Sequence, residues 1–268
     1  MSATLSRLAA RYDHVLLDLD GCVWVGDEPT PGAVEAIGAL RAAGKDVLFV
    51  TNDARVGGDD FVRKLWRLGF QASLSEVVTV GGAIQHVLAE TDRWRGAYVV
   101  GSDAIHRHVN DAGVRIVNGR DVPTADVVVL AAHDRFTYDE LRGAVQATLA
   151  GAEVLAAGRD ATFPMPDGHW PGTGAIVAAV EAATGATAVS VGKPEAQIFR
   201  TALDRLGADD GAGALVVGDR LDSDLAGAHA AGLDGAIVLT GATTAREAAM
   251  ADPAPVAVAP TLADLLLA

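Results

Sequence analysis

Residues 14–24 read HVLLDLDGCVW. The run at 14–17 is short and mostly apolar, which is typical of a strand buried on both faces of a parallel sheet. Two carboxylates, Asp18 and Asp20, stand one residue apart where this strand ends. Carboxylates this close repel each other unless a cation offsets their charge. Ligands of α/β sheets bind outside the carboxyl ends of the strands, so this end is the first candidate for a site.

Further apolar runs alternate with helical patterns from one end of the chain to the other. Val34, Ile37 and Leu40 recur three residues apart, with Pro31 before them and Gly44 after them, which predicts a helix. This alternation predicts an α/β fold built on a doubly wound, mainly parallel sheet. The other predicted strands are Asp46–Val50, Ala97–Val100, Asp126–Leu130, Thr187–Val191, Ala214–Val217 and Gly235–Leu239. The other predicted helices lie at about 58–68, 82–91, 103–112, 137–150, 173–184, 194–206, 222–231 and 261–267.

Three more strand ends carry side chains that suit chemistry. They are Thr51-Asn52-Asp53, Gly192-Lys193-Pro194 and the segment 218–224, which reads GDRLDSD. Taken singly, Asp and Asn are common turn and helix-cap residues, and a lone lysine is usually a solvated surface charge. Each end alone therefore has a structural explanation.

The combination of these ends indicates a specific chemistry. Asp18, Asp20 and an Asp from 219–224 offer oxygen ligands to Mg²⁺. Lys193 and the Thr51 hydroxyl offer positive charge and a hydrogen bond to a phosphate that acidic side chains alone would repel. The pattern predicts phosphoryl transfer with an aspartate nucleophile.

Composition excludes several classes of partner and enzyme. The 268 residues include 35 Asp and Glu against 21 Lys and Arg, a formal charge of −14. Nucleic acids and anionic membranes attract the opposite sign, so we expect neither as a partner. Cys22 is the only cysteine, which excludes an intrachain disulfide and favours a cytoplasmic location. The sequence contains no P-loop, no serine-hydrolase elbow and no dinucleotide fingerprint after the first strand.

At these residues the sequence resembles the haloacid dehalogenase (HAD) superfamily. Its phosphatases carry D-x-D-G, a Thr or Ser ending the second strand, a Lys, and G-D-x-x-x-x-D, and all four are present here in that order. Leu17–Trp24 (LDLDGCVW), Phe49–Asn52 (FVTN), Val191–Phe199 (VGKPEAQIF) and Val217–Gly232 (VGDRLDSDLAGAHAAG) look like its NagD-like branch. The branch contains phosphatases of phosphoglycolate, glycerol phosphate and pyridoxal phosphate. The resemblance therefore implies a Mg²⁺-dependent hydrolase of a small phosphorylated metabolite.

The resemblance also implies catalytic roles. Asp18 attacks phosphorus to form an aspartyl-phosphate, while Asp20 protonates the leaving alkoxide. Asp20 then deprotonates the water that cleaves this intermediate. Thr51 and Asn52 contact the transferred phosphoryl group, and Lys193 bridges that group to Asp18.

The implied metal site is made of acidic residues. Mg²⁺ is expected to be held by an oxygen of Asp18, by the backbone carbonyl of Asp20 and by Asp219. Asp224 is expected to be a further ligand or an acceptor behind the ligands.

Members of the branch insert a second α/β domain, the cap, between the Thr-bearing and Lys-bearing segments. By resemblance, the core comprises 1–80 and 186–268, and the cap comprises 81–185, where it excludes water and selects the leaving group. Asp160–Pro164 and Pro171–Ala175 look like the cap motifs of the branch. Relatives dimerise through the cap, so a homodimer is also implied.

Two segments depart from the branch. Asp53 stands where relatives carry Asn or Ser, and it brings a negative charge close to the expected phosphate. Ala157-Gly158-Arg159-Asp160 replaces Thr-Asn-x-Asp in the cap, so the choice of substrate does not transfer from the family. Arg159 forms a surface salt bridge or reaches a second anionic group of the substrate. Two alternatives to hydrolysis stay open: a phosphotransferase of the same fold, and a weakly active phosphate-binding regulatory protein.

Overall fold

The predicted apolar runs become strands of two separate parallel sheets. A computed structural model describes residues 4–119, 122–165, 168–208, 211 and 213–268. The chain divides into a first unit of Met1–Thr51, Gly58–Val78 and Lys193–Ala268 and a second unit of Asn52–Gly57 and Thr79–Gly192. Positions 120–121 and 166–167 of the predicted cap lie outside the described residues.

The first unit contains a parallel sheet with helices and a short hairpin. Its strands are β1 (His14–Asp18), β2 (Trp24–Val25), β3 (Glu28–Pro29), β4 (Asp46–Thr51), β5 (Val77–Thr79, whose last residue belongs to the second unit), β13 (Ala214–Gly218), β14 (Asp234–Val238) and β15 (Ala257–Ala259). Its helices are α1 (Ala33–Ala42), α2 (Gly58–Arg67), α7 (Ala196–Leu206), α8 (Ala226–Ala230), α9 (Ala245–Ala249) and α10 (Leu262–Leu266). The sheet order is β15-β14-β13-β1-β4-β5, and β2 pairs with β3 in an antiparallel hairpin.

Strand β1 lies in the middle of this sheet and at the centre of the core. It pairs in parallel with β13 on one side and with β4 on the other. Leu17, Phe49 and Val217, one from each of these strands, belong to one hydrophobic cluster and are 0% exposed. Because the three strands run in the same direction, the residues that follow them meet at one edge of the sheet.

The second unit has its own parallel sheet and its own core. Its strands are β6 (Gly96–Val100), β7 (Arg115–Ile116), β8 (Val127–Leu130), β9 (Glu153–Ala156), β10 (Thr162–Met165), β11 (Gly168–Pro171) and β12 (Val189–Ser190). Its helices are α3 (Val80–Ala89), α4 (Asp103–Asp111), α5 (Tyr138–Leu149) and α6 (Thr173–Thr184). The sheet order is β12-β9-β8-β6-β7 with parallel pairs throughout, and β10 pairs antiparallel with β11.

The α/β class and the parallel sheets confirm the fold prediction. The prediction that Thr187–Val191 is a strand buried on both faces was wrong. Only Val189–Ser190 forms a strand, it lies at the sheet edge beside β9, and the Val189 residue is 62% exposed. An edge strand has one neighbour and is therefore less protected from water. Among the described helices, none combines the length and apolar character that a membrane span requires.

Candidate active site

The carboxyl edge of the first unit's sheet gathers most of the predicted site residues. Asp18 is the last residue of β1, and Thr51 is the last residue of β4. Asp219 directly follows the last residue of β13. The register pairs Asp18 with Val50, so adjacent strands end nearly level. The expectation that these strand ends converge is therefore met for Asp18, Thr51 and Asp219.

Three carboxylates form a buried cluster at this edge. Asp18, Asp219 and Asp224 each offer an oxygen, and these atoms all lie within 4.8 Å of one another. The side chain of Asp18 is 12% exposed and that of Asp224 is 2% exposed. Burial of three like charges at this distance is unfavourable unless cations offset them.

The Asp219 carboxylate is fixed by backbone from two loops. The Ala242 N–H donates to Asp219 Oδ2 at 2.6 Å. The same carboxylate packs against Gly21 and Gly241, where a Cβ would lie 2.5 Å and 2.0 Å from Asp219 Oδ2. Thr240 Oγ1 donates to the Gly21 carbonyl at 2.6 Å and so ties the two loops together.

Gly21 gives a testable consequence of this close approach. Its φ of +85° is the left-handed region, and an added Cβ would meet the Asp219 carboxylate. Gly21→Ala is expected to lower the free energy of unfolding by about 1–2 kcal/mol. It is also expected to displace Asp219 and so raise the Mg²⁺ concentration needed for half-maximal activity. Urea unfolding and Mg²⁺ titration of activity measure the two effects.

Gly26→Ala is the matched control for that substitution. Gly26 also has a positive φ, +61°, but among the described residues no atom lies within 4 Å of an added Cβ. We expect a similar loss of stability with an unchanged Mg²⁺ requirement. If both variants shifted the Mg²⁺ requirement equally, the contact with Asp219 would not be the cause.

Lys193 is the buried cation within the cluster. The side chain is 4% exposed, and its ammonium donates to Asp18 Oδ1, to Asp224 Oδ1 at 2.8 Å and to the Val50 carbonyl at 3.3 Å. Buried lysines are rare unless paired, and here the ammonium group is paired with two carboxylates. The structure thus places the Lys193 ammonium directly beside the Asp18 carboxylate.

Burial and charge shift the titration of these groups. Burial raises the pKa of Asp18 to about 8, against the opposing effect of the Lys193 ammonium. Burial also raises the pKa of Asp219. For Lys193, burial favours a lower pKa, but the Asp18 and Asp224 carboxylates outweigh it and raise the pKa above its usual value. Lys193 is therefore the stable cation of the site at neutral pH.

Asp224 reaches the cluster from a π turn, Leu221–Leu225, that precedes α8. The Arg220 N–H donates to Asp224 Oδ2 at 3.1 Å, and the carboxylate packs directly against Gly218. The sequence predicts a regular helix from 222. The wider turn differs from that helix, and π turns of this kind are frequent at functional sites.

Asp20 lies apart from the three clustered side chains. Its side chain is not among the grouped ligands, and the residue is exposed. Its Oδ1 accepts a hydrogen bond from Trp24 Nε1 at 2.8 Å. The carboxylate of Asp20 is thus directed by the hairpin that follows β1, which agrees with a ligand role for its backbone carbonyl only.

Thr51, the last residue of β4, and Asn52, which follows it, belong to different units. Thr51 is 4% exposed in the first unit. Asn52 belongs to the second unit, where its side chain lies so close to Gly192 that an added Cβ there would be 2.7 Å from Asn52 Oδ1. The structure therefore groups Thr51 with the carboxylates and places Asn52 with the residues of the second unit.

The two departures from the HAD pattern are both paired with opposite charges. Asp53 accepts three hydrogen bonds from Arg55, from its backbone N–H at 2.9 Å, from Nε at 2.9 Å and from a terminal nitrogen at 2.7 Å. Arg159 forms an ion pair with Glu181 at 2.8 Å and donates to the Ala188 carbonyl at 2.7 Å. Of the two interpretations of Arg159, the structure contains the salt bridge.

A divalent cation fits the carboxylate cluster. When all three carboxyl groups are ionised, they and the one ammonium group leave an excess of two negative charges. Asp219 Oδ1 is buried and has no hydrogen-bond partner among the described residues. A buried acceptor without a partner is costly, and a bound cation would remove that cost. Carboxylate oxygens are the ligands that Mg²⁺ prefers.

Sequence reasoning missed the loop at 240–242, which supports Asp219. The signal was present, because Thr240-Gly241-Ala242 directly follows the predicted strand Gly235–Leu239. Its residues are small and uncharged, so they carry no chemistry of their own. Their function comes from a backbone N–H, which a search for reactive side chains does not detect.

Comparison with known proteins identifies relatives along the whole chain. A family described as haloacid dehalogenase-like hydrolase matches residues 15–115, and one described as HAD-hydrolase-like matches residues 190–265. The D-glycerol 3-phosphate phosphatase of Mycobacterium tuberculosis is 38% identical over 93% of this chain and 69% of its own length. The sugar-phosphatase AraL of Bacillus subtilis is 30% identical over 92% of each chain.

Solved structures show the same relationship in three dimensions. The glycerol phosphate phosphatase of M. tuberculosis in complex with magnesium superposes with a TM-score of 0.89 at 37% identity, over 99% of this chain and 79% of that one. NagD from Escherichia coli K-12 superposes with a TM-score of 0.88 at 26% identity, over 94% of this chain and 98% of that one.

Proposed function

Because this chain belongs to the haloacid dehalogenase superfamily, in its NagD-like phosphatase branch, we propose that Asp18 carries out the first step of its reaction. The protein is a Mg²⁺-dependent phosphatase of small phosphate monoesters. The observation that carries the assignment to Asp18 is the buried ammonium of Lys193 between Asp18 and Asp224, beside Asp219. This arrangement gives Asp18 both a counter-ion and a neighbouring site for a metal.

We propose that hydrolysis takes place in two steps. A carboxylate oxygen of Asp18 attacks phosphorus, the bond from phosphorus to the ester oxygen breaks, and Asp20 gives a proton to the leaving alkoxide. Asp20 then accepts a proton from water, the water oxygen attacks phosphorus, and the bond to the Asp18 oxygen breaks. Inorganic phosphate leaves, and both aspartates return to their starting states.

The acidic cluster is proposed to hold the metal. Asp18, Asp219 and the backbone carbonyl of Asp20 would be ligands, with Asp224 as a further ligand or an acceptor behind them. Bound Mg²⁺ supplies positive charge that offsets repulsion between a carboxylate nucleophile and a phosphate dianion. Asp224 also orients Lys193, since it accepts a hydrogen bond from the same ammonium that binds Asp18.

Other side chains of the site are proposed to bind the phosphoryl group. The Lys193 ammonium would donate a hydrogen bond to one phosphoryl oxygen and offset its negative charge, while also remaining hydrogen-bonded to Asp18. Thr51 and Asn52 would donate to the remaining oxygens. The pairing of Asp53 with Arg55 supports this assignment, because the carboxylate that departs from the family pattern is already neutralised by a neighbour. The case for a feeble regulatory protein is weaker for that reason.

The proposed substrates are small polyol and sugar phosphates. The relatives act on D-glycerol 3-phosphate and on sugar phosphates, as their names state. We propose that the predicted cap, residues 81–185, selects the leaving group. We assign no part in this selection to Arg159, whose side chain pairs with Glu181.

A cytoplasmic location and a homodimer remain proposals. Cys22 is the only cysteine, so the chain cannot form an intrachain disulfide, which supports a cytoplasmic location. Its thiol is buried, and burial raises its pKa well above the usual value. A homodimer is implied by the family resemblance alone and stays a prediction.

Metal removal gives the direct test of this function. Purified protein is expected to release phosphate from at least one ester in a panel that includes glycerol 3-phosphate, sugar phosphates, phosphoglycolate, pyridoxal phosphate, nucleoside monophosphates and p-nitrophenyl phosphate. Chelation with EDTA is expected to lower the rate at least about 100-fold, because a bound metal contributes several kcal/mol to such reactions. Excess Mg²⁺ is expected to restore it.

Two outcomes of this assay would contradict the proposal. Release that is insensitive to EDTA would exclude the metal role of the cluster, and no release from any ester would exclude hydrolysis. A phosphotransferase would instead give a phosphorylated alcohol when glycerol is added as an acceptor, which phosphorus NMR detects.

A further inference from the structure

The side chain of Trp24 connects the core of the first unit to Asp20. Trp24 is 0% exposed, whereas Asp20 is exposed. The indole Nε1–H donates to Asp20 Oδ1 at 2.8 Å. A fully buried aromatic ring thus donates a hydrogen bond to a carboxylate that is exposed to solvent.

The backbone between the two residues keeps this contact in place. The chain turns back after β1, and the N–H groups of Val23 and Trp24 donate to the Leu19 carbonyl at 2.9 Å and 3.1 Å. The Gly21 N–H donates to the Trp24 carbonyl at 2.7 Å, and Asp20 and Trp24 form an isolated bridge. The donor and the acceptor therefore belong to one closed turn.

The indole ring is held from its other side as well. Lys64 Nζ, on α2, lies 4.3 Å from the centroid of the Trp24 ring, a cation–π contact. The ring also packs in the core cluster of the first unit. Complete burial in a close-packed core together with these contacts restricts rotation of the ring and so favours one direction of its N–H.

We propose that Trp24 is a positioning residue for proton transfer by Asp20. This inference rests on the proposed function, in which Asp20 is the acid and then the base. Because the indole N–H donates to Asp20 Oδ1, we assign the transferred proton to Asp20 Oδ2. The carboxyl group then has one orientation, with Oδ2 turned away from the indole and toward the substrate or water. Proton transfer requires such a fixed geometry between donor and acceptor.

Leaving groups separate this role from a merely structural one. An alkoxide, such as the one released from glycerol 3-phosphate, needs a proton as it departs. p-Nitrophenolate is stable without one, so its release depends little on an acid. A residue that only supports the fold would affect both esters alike, whereas a residue that orients the acid would affect the alkyl ester more.

Trp24→Phe tests the proposal because it keeps a ring and removes the N–H. The value of kcat/KM reports the steps up to formation of the aspartyl-phosphate. For glycerol 3-phosphate, or the best alkyl ester found, we expect it to fall about 10- to 100-fold, part of the usual contribution of a general acid. For p-nitrophenyl phosphate we expect a fall of less than about threefold. Hydrolysis of the intermediate also needs Asp20, so kcat should fall for both esters, with a burst of nitrophenol.

Trp66→Phe is the matched control. Trp66 lies on α2 in the same unit, and its Nε1–H donates to the Ala72 carbonyl at 2.7 Å, but the residue is 62% exposed. This variant should leave both kcat/KM values unchanged. If Trp24→Phe does not fold, as judged by circular dichroism, 3-benzothienylalanine at position 24 keeps the ring shape and replaces the N–H by sulfur.

The outcomes distinguish this inference from the proposed function. Equal falls in kcat/KM for the two esters, or no fall in kcat/KM for either, in the folded Trp24 variant would overturn the positioning role while leaving the phosphatase assignment intact. Absence of Mg²⁺-dependent hydrolysis by the wild-type protein would instead remove the proposed function itself. A selective loss on the alkyl ester supports both.

Discussion

Asp18→Asn is expected to abolish turnover of phosphate monoesters, with a loss of roughly 10⁴-fold or more in kcat, as seen when a nucleophile is removed. An amide oxygen is a far weaker nucleophile than a carboxylate and does not form the acyl phosphate. Steady-state phosphate release with the best ester of the panel measures the loss. Chemical trapping of the phosphorylated wild-type enzyme, followed by mass spectrometry, should place the modification on Asp18.

The same substitution is expected to leave the fold intact. The amide oxygen introduced by Asp18→Asn can still accept the hydrogen bond of Lys193, and the substitution removes an acidic group whose ionisation burial disfavours. We therefore expect a Tm in EDTA equal to or above that of the wild type. Stabilisation by Mg²⁺ should be smaller in the variant, since one charged ligand is lost.

Asp222→Asn provides the matched control for that experiment. Asp222 lies in the same 219–224 segment, but its side chain is 73% exposed and pairs with Arg220 at the surface. Its activity and its Mg²⁺ requirement should be those of the wild type. Near-normal turnover by Asp18→Asn would show that another group attacks phosphorus.

The parts of this site that the sequence predicted are those set by the parallel sheet. Apolar runs marked β1, β4 and β13, and parallel strands bring their carboxyl ends to one edge. The sequence alone therefore predicts that one edge of the sheet carries Asp18, Thr51 and Asp219. No sequence pattern gave the distances between them, but strand direction alone was enough to predict the grouping.

The parts that the sequence did not predict depend on turns and on backbone groups. The π turn that carries Asp224 looks like an ordinary helix start, because its composition suits either conformation. The bond from Trp24 to Asp20 depends on how the chain folds back after Gly21. The residue type of Trp24 indicates a large apolar ring suited to burial and does not reveal this hydrogen bond.

The sequence did not predict strand β9, for a different reason. Glu153–Ala156 has the sequence EVLA, and alanine and leucine favour helices in isolation. It becomes a strand because it pairs in parallel with β8 and β12. Tertiary pairing outweighs local propensity in such short segments, which is why β9 could not be read from its residues.

Lys193→Met is expected to cost about 3–5 kcal/mol of unfolding free energy in EDTA, the usual effect of removing one partner from a buried ion pair. The substitution leaves Asp18, Asp219 and Asp224 together without the ammonium that now binds two of them. Urea unfolding at neutral pH measures the loss. Lys45→Met is the control: Lys45 pairs with Asp13, whose side chain is 76% exposed, so about 1 kcal/mol or less is expected.

The loss caused by Lys193→Met should shrink as the pH falls from alkaline values toward about 8, the pKa of Asp18 in the wild type, and should change little at lower pH. Burial already raises the pKa of Asp18 to about 8 in the presence of Lys193, and removal of the cation raises it further. Between the pKa of Asp18 in the wild type and its higher pKa in the variant, only the folded variant binds this proton, so acidification there stabilises the variant and not the wild type. Below about 8 both folded proteins bind it, and the difference stays constant. A loss that grew on acidification would contradict this account of the cluster.

Magnesium separates the two roles of Lys193. Bound Mg²⁺ offsets the charge of the carboxylates, so it should restore part of the stability of Lys193→Met. It should not restore turnover, because the variant still lacks the ammonium proposed to bridge Asp18 and the phosphoryl group. If Mg²⁺ restored both stability and turnover, Lys193 would act only as a counter-ion to the carboxylates. Recovery of stability alone would assign to its ammonium a part in phosphoryl transfer that a metal ion at the same cluster does not supply.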